Sequence, residues 1–184
     1  NKASGKFISF LDTDDWWMKN KLKDQVQMIK ENKKIKIIYS QFYFYDQKNK
    51  TKIIKPNKIE KGMIAKNMLK TYKIGILTVM VCRNIFKKYK FNKKYNIIGD
   101  FDFFLKLTLK YPFFAISKPL AYYRSHSNNY SKMKMSEYIK ELEYWIKSNK
   151  KKFKKKNLSL FFTWWNLKKL QIKYYINFMN SLGV

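Results

Sequence analysis

Residues 7 to 17 read Phe7-Ile8-Ser9-Phe10-Leu11-Asp12-Thr13-Asp14-Asp15-Trp16-Trp17. The apolar run Phe7 to Leu11 has the length and composition of a buried strand. It stops abruptly at Asp12-Thr13-Asp14-Asp15. In extended backbone the side-chain period is two, so Asp12 and Asp14 point to the same side. Two like charges converging at the carboxyl end of a strand repel unless a cation joins them. Hard divalent ions such as Mg2+ or Mn2+ take such carboxylates while keeping waters and substrate phosphates. The end of a strand in an open α/β sheet is also where ligands bind. A solvated turn, with Asp15 as the N-cap of the next helix, accounts for the same residues. Spacing alone does not separate the two readings.

Working outward, Leu22, Val26 and Ile29 recur at helical spacing and predict a helix that ends near Asn32. Ile35 to Tyr45 is β-branched and aromatic and reads as a strand, with a turn at Asp46 to Lys50 and a return at Ile53-Ile54. Pro56 breaks that strand. Met63 to Leu69 reads as a short helix and Leu77 to Cys82 as a strand. Phe103, Phe104, Leu107 and Tyr111 form a helical stripe over Asp100 to Lys110, ended by Pro112. Leu120 to Arg124 reads as a strand that runs into a polar loop, Ser125 to Ser131. Beyond it Met135, Tyr138, Ile139, Leu142, Trp145 and Ile146 line one face of a helix. A lysine-dense linker, Lys150 to Lys156, leads to a last helix with Leu158, Phe161, Phe162, Trp165, Ile172, Tyr175, Ile176 and Met179 on one side. The aromatic faces of these last helices are expected to pack on the body; the alternative is that Lys150 to Lys156, with Trp164 and Trp165, hold the chain at an anionic leaflet. The pattern is an α/β body, residues 1–131, with a helical C-terminal extension, 132–184, and a basic linker at 150–156.

The chain has 184 residues and a formal net charge of +29, from 41 Lys plus Arg against 12 Asp plus Glu. Arg83 and Arg124 are the two arginines. A nucleic-acid reader usually mixes in more, because the planar guanidinium grips phosphates and guanines bidentately. Lys, Asn, Ile, Tyr and Phe share AT-rich codons, so codon bias accounts for the excess. With 46% apolar and 18% aromatic residues, the chain can build a core and is not disordered. Cys82 alone excludes an internal disulfide and fits a reducing compartment. No apolar run approaches the ~18 residues of a membrane span, and Asn1 to Lys6 has no apolar segment behind it of the kind a signal peptide needs.

Acids are scarce, so their placement is informative. Five of the seven aspartates form two groups, Asp12, Asp14, Asp15 and Asp100, Asp102. Asp100 opens a helix, where an N-cap or first-turn acid is ordinary; alone, the residues favour that role. Next to a pocket, desolvation would raise its pKa towards that of a general base. His126 is the sole histidine, in Tyr122-Tyr123-Arg124-Ser125-His126-Ser127. A lone histidine is more often a surface or hydrogen-bonded structural residue than a ligand; its place in a polar loop straight after an apolar strand also makes it a candidate ligand.

Taken in order, these pieces resemble the inverting family-2 glycosyltransferases of the GT-A fold, which is Rossmann-like. Phe7 to Trp17 resembles their strand plus DxD segment, with Ala3-Ser4-Gly5 before it. Lys21-Leu22 with Gln25 matches the next helix, and Ile38-Tyr39-Ser40 the next strand, where Gln41 stands in place of a frequent acid. Thr78 to Arg83 resembles the segment beneath the acceptor site. Gly99-Asp100-Phe101-Asp102 aligns with a Glu-Asp-x-Asp motif in which Gly99 replaces the Glu. Tyr123-Arg124-Ser125-His126 matches the closing Tyr-Arg-x-His.

The resemblance, which covers Asn1 to about Ser131, implies a role for each residue. Asp14 and His126 would hold Mn2+ or Mg2+; Asp12, Asp14, Asp15 and Arg124 would bind the nucleotide-sugar donor. Asp100 would be the catalytic base, with Thr78 and Asp102 at the acceptor. The reaction would be a single in-line displacement with inversion, onto a saccharide or lipid-linked acceptor in cell-surface polysaccharide synthesis. The expected location is cytoplasmic, peripheral at the inner face of the membrane, with no nucleic-acid partner. The family begins with strand-helix units that hold the base and ribose, so the chain is expected to be an N-terminally truncated piece, weak or inactive alone. The competing classes are a basic module that binds RNA or anionic membrane and a non-catalytic homologue.

Overall fold

The computed structural model describes residues 3–181. In chain order these form β1 (Phe7–Ser9), β2 (Trp16–Trp17), α1 (Lys21–Glu31), β3 (Ile37–Asp46), β4 (Thr51–Lys55), α2 (Ala65–Lys70), a 3-10 turn (Ile76–Thr78), β5 (Met80–Cys82), α3 (Ile85–Lys88), α4 (Gly99–Thr108), β6 (Phe114–Ser125), α5 (Tyr130–Met133), α6 (Met135–Lys154) and α7 (Phe161–Ser181). The strands make one mixed sheet ordered β1-β5-β3-β6-β2, with β4 paired to β3. The α/β architecture is the one read from the residues.

The sheet's centre is the parallel pairing of β3 with β6, which runs from Ile38 opposite Phe114 to Asp46 opposite Ser125. Its register slips around Gln41, which faces Pro119. Proline lacks the N–H a regular ladder needs there, so the strand bulges and continues. The strand expected at Leu120 to Arg124 in fact begins at Phe114 and runs through Pro119. The two-residue β2 was missed altogether. It pairs Trp16 with Tyr122 and Trp17 with Ala121 and places the segment after the aspartates against β6.

Helix α1 turns a different face inward from the one its apolar spacing predicts. Leu22 and Val26 are exposed, while Lys21 and Gln25 are fully buried. The Lys21 ammonium donates to Gln25 Oε1 at 2.8 Å, and Gln25 Nε2 donates to the Thr78 carbonyl at 2.8 Å. Lys21 Nζ also sits 4.4 Å from the Trp17 ring centroid. Burial lowers the Lys21 pKa to about 8. A polar brace of this kind fixes α1 against the 3-10 turn more specifically than leucine packing would. Met28 and Ile29 still reach the small cluster of Ile35, Ile38, Met80, Ile116 and Leu120.

The main core joins Ile37, Tyr39, Val79 and Val81 of the sheet region to Phe103, Phe104, Leu105 and Leu107 of α4. Trp145 and Phe153 of α6 and Leu167 of α7 belong to the same cluster. The expected linker at 150–156 is mostly helix: α6 continues to Lys154, and buried Phe153 anchors its last turn. The chain then reverses at Asn157, whose φ of 54° is the left-handed conformation asparagine tolerates at helix ends.

Helix α7 corrects the expectation that its aromatic face packs on the body. It docks through Thr163 and Leu167, and Thr163 Oγ1 donates to the Leu69 carbonyl at 2.9 Å. Phe161, Phe162, Trp165, Ile172, Tyr175 and Ile176 are exposed. Leu160, Thr163, Leu167 and Leu170 form the inward stripe at helical spacing, and a threonine in it hid the pattern. Trp145 and Trp165 therefore make opposite predictions. Trp145→Ala is expected to cost about 3–5 kcal/mol of unfolding free energy. Trp165→Ala should change it by less than about 0.5 kcal/mol. Urea titrations of both variants check the packing; a similar loss in each would contradict it.

Candidate active site

The Asp12 to Asp15 turn is held by its own backbone, with Asp15 N donating to the Asp12 carbonyl at 3.2 Å. It is also held by the far end of β6. Asp15 Oδ1 accepts the backbone N–H of Arg124 at 2.9 Å, across 109 residues of sequence. Helix α1 starts at Lys21 after Asn20, so Asp15 is not its N-cap; its carboxylate ties the aspartate turn to the end of β6. Burial drives the Asp15 pKa up to about 7, the Arg124 amide offsets part of that, and the charges of Asp14 and Asp12 add to it.

This tie brings Asp14 to the polar loop after β6. His126 Nε2 lies 2.8 Å from Asp14 Oδ2. Asn129, which sequence reasoning passed over, organises the pair. Its side-chain amide donates to Asp14 Oδ2 at 3.2 Å and to the Arg124 carbonyl at 3.0 Å, and its Oδ1 accepts the His126 N–H at 2.7 Å. The signal in the sequence was a second amide three residues past the lone histidine. Burial pushes the Asp14 pKa up, but the His126 hydrogen bond, with other favourable contacts, outweighs it and holds the carboxyl below its ordinary value. Asp12 is raised, first by burial and then by repulsion from Asp14.

Asp100 stands in the first turn of α4. Its Oδ2 accepts the Tyr72 hydroxyl at 3.1 Å and its Oδ1 accepts the Phe101 N–H at 2.7 Å. Burial raises its pKa to about 6 against these two hydrogen bonds. The turn that presents it is anchored from outside: Glu141 of α6 accepts the backbone N–H groups of Asn96, Ile97 and Ile98 at 2.7, 3.0 and 3.1 Å. Glu141 sits among Tyr138, Leu142 and Trp145, and an acid inside that apolar stripe was the available clue.

Asp12, Asp14 and His126 line one groove of about 1080 Å3 together with Gly99 and Asp100. Other predicted residues fall outside its lining. Thr78 is fully buried, its hydroxyl donating to the Gly75 carbonyl at 2.7 Å. Asp102 is buried on the far side of α4, where it accepts the Trp145 indole N–H at 2.9 Å and the Lys106 ammonium. A helix turns about 100° per residue, so Asp100 and Asp102 cannot share a face, and Asp102 braces α6 instead. Arg124 reaches the site through its backbone N–H on Asp15, and its guanidinium charge also favours the ionised Asp14 and Asp15. Asp15 Oδ2 and Arg124 Nε are buried without a hydrogen-bond partner among the described residues.

Comparison with known proteins bears on the family. An uncharacterized glycosyltransferase of Methanocaldococcus jannaschii is 32% identical over 160 residues, 83% of this chain and 54% of its own. Two UDP-Glc:alpha-D-GlcNAc-diphosphoundecaprenol beta-1,3-glucosyltransferases of Escherichia coli are also similar. WfgD is 36% identical over 90 residues, 48% of this chain and 34% of its own; WfaP is 29% identical over 149 residues, 76% and 53%. The chain thus spans about half the length, or less, of these relatives. The family model for glycosyl transferase family 2 matches residues 1–116, a stretch that holds both the aspartate turn and the head of α4. On that match, which covers more than half of its residues, the chain belongs to glycosyl transferase family 2.

Proposed function

We propose that this chain carries the catalytic half of an inverting glycosyltransferase, which moves a sugar from a nucleotide-sugar donor to a lipid-linked saccharide acceptor. The observation that carries the reading is the shared groove, with Asp12, Asp14 and His126 lining it together with Asp100. The named reactions of the two Escherichia coli relatives support the acceptor class. In this reading residues 1–131 hold the chemistry and 132–184 brace it. The work is cytoplasmic, at the inner face of the membrane. No helix among the described residues is long and apolar enough to cross a membrane. The basic RNA- or anionic-membrane-binding module that the charge raises is not favoured by the family membership, and a non-catalytic fragment is not favoured by the gathering of Asp12, Asp14, His126 and Asp100 in one groove.

A divalent ion, Mn2+ or Mg2+, suits the donor side. Asp14 and His126 offer one carboxylate and one imidazole, and among the described residues no three His, Cys, Asp or Glu side chains cluster tightly enough to cage a metal. Two protein ligands leave positions for phosphate oxygens and waters, the way Mg2+ is usually held. Asp15 Oδ2, buried and without a partner, is suited to orient such a water. When bound, the ion offsets negative charge that grows on the departing diphosphate. Asp12 would contact the donor beside Asp14.

The chain's own part in the chemistry is carried by Asp100. Its carboxylate accepts the proton of the acceptor hydroxyl. The freed oxygen then bonds to the anomeric carbon on the face opposite the diphosphate, whose bond to that carbon breaks, so the configuration inverts. Tyr72 and the Phe101 amide hold the two carboxylate oxygens in position. A base must be ionised to act, and a carboxyl raised to about 6 is ionised above that pH.

Activity should therefore fall as pH drops through about 6. Tyr72→Phe removes a hydrogen bond that lowers the Asp100 pKa, so the acidic limb of kcat should move to higher pH. An unmoved limb would count against Asp100 as the titrating base. Asp100→Asn is expected to lower kcat by roughly 10²–10⁴ while leaving nucleotide binding in place. In the full-length protein, Asp14→Asn should abolish the Mn2+-dependent binding of a nucleoside diphosphate in calorimetry. Metal-dependent affinity that survives in Asp14→Asn would remove Asp14 from the donor site.

A further inference from the structure

The charge is lopsided at the end of the chain. No Asp or Glu follows Glu143, while ten lysines do. Lys150 to Lys152 and Lys154 to Lys156 are exposed around the end of α6, and α7 begins a few residues later. At 100° per residue, the buried Thr163 and Leu167 mark the inner side of α7. Phe161, Trp165, Ile172 and Ile176 then fall on the side facing away from the body. All four are open to solvent, at 56%, 46%, 60% and 51%. Lys168 and Lys169 flank this outer stripe. Their amines lie 5.6 Å over the Trp164 ring and 5.7 Å over the Trp165 ring.

A helix that is apolar on both sides is normally covered on both, so the outer stripe calls for a cover, and its chemistry selects one. The lysines and the absence of acid call for an anionic partner. A second copy of the same face would set lysine clusters against each other, which disfavours a self-complementary pair. RNA would use the lysines and the indoles but leave Ile172 and Ile176 against water. A bilayer surface uses all of them: aliphatic groups at the acyl boundary, indoles at headgroup depth and lysines on anionic headgroups.

We propose that α7 lies in the plane of an anionic lipid bilayer, outer face down, with Phe161, Trp165, Ile172 and Ile176 inserted and Lys168 and Lys169 on the headgroups. This deepens the reading of a lipid-linked acceptor, on which it rests, because it would hold the chain at the kind of surface on which such acceptors sit. The test does not depend on sugar transfer. The whole chain is sedimented with vesicles of phosphatidylcholine alone and of phosphatidylcholine with phosphatidylglycerol, and tryptophan emission is followed with brominated lipids.

Binding is expected to the anionic vesicles, with a blue shift and bromine quenching. Lys168→Gln with Lys169→Gln should weaken it about thirtyfold, from roughly fivefold per lysine. Trp165→Ser with Ile172→Ser should abolish it, and because these positions are exposed, circular dichroism should be unchanged. Equal binding to neutral vesicles, or none to either, overturns the proposal. So does a concentration-dependent dimer that Trp165→Ser dissolves, or RNA binding through the same lysines without vesicle binding. Loss of lipid binding with metal-dependent nucleotide binding intact would leave the transferase reading standing.

Discussion

The hydrogen bond from the Arg124 backbone to the Asp15 carboxylate joins residues 109 positions apart, and the candidate donor site depends on it. Asp14 and His126 are carried by different segments: the turn after β1 and the loop after β6. Neither segment has many other reasons to stop where the other one does. The short pairing of β2 with β6 sets the approach, the Asp15 contact fixes it, and Asn129 closes it with hydrogen bonds to both sides. The geometry is built from backbone donors and a side-chain amide, which leaves the Asp14 carboxylate and the His126 ring facing the groove.

Much of this was legible in the residues. The helix opened by Asp100 and the histidine after a strand stand where the pattern puts them; the strand before the aspartates is there too, but it stops at Ser9, is half-buried at the sheet's edge and leaves Leu11 exposed. The apolar runs and the scarcity of acids carried that much; the side-chain period did not apply to Asp12 and Asp14, which stand in a turn closed by the Asp15 N–H on the Asp12 carbonyl. Other features were illegible for physical reasons. The buried face of α1 is a lysine and a glutamine, and apolar spacing cannot see a polar brace whose third member is a carbonyl 53 residues away. The role of Asp102 depends on an indole in α6 that only the tertiary fold brings near. For α7 the apolar residues run all round the helix, and spacing cannot say which side meets the body when a threonine lies in the inner stripe. Thr78 was placed near the acceptor by resemblance, whereas its hydroxyl is spent on the 3-10 turn that precedes β5.

The net charge of +29 also divides into parts with different physical meaning. Most lysines sit singly on the surface, where screening leaves each with little energetic weight. The acids are the opposite case. Several are partly or wholly withdrawn from water and each holds something: Asp15 an amide, Asp102 an indole and an ammonium, Glu141 three amides. In a chain this basic, a carboxylate is the scarce charge-bearing acceptor, and the fold uses it at joints as well as at the candidate chemistry.

The three amides gathered by Glu141 have a consequence for how such a chain can diverge. The turn they hold presents Asp100, the proposed base, while the carboxylate that holds it belongs to the stretch beyond residue 131, past the end of the family match at residue 116. The division visible in the sequence is therefore not a mechanical one. A lineage that shuffled a new C-terminal part onto residues 1–131 would inherit the aspartate turn whole but would have to reinvent the support for Asp100. Grafts and chimaeras made across that seam inherit the same debt.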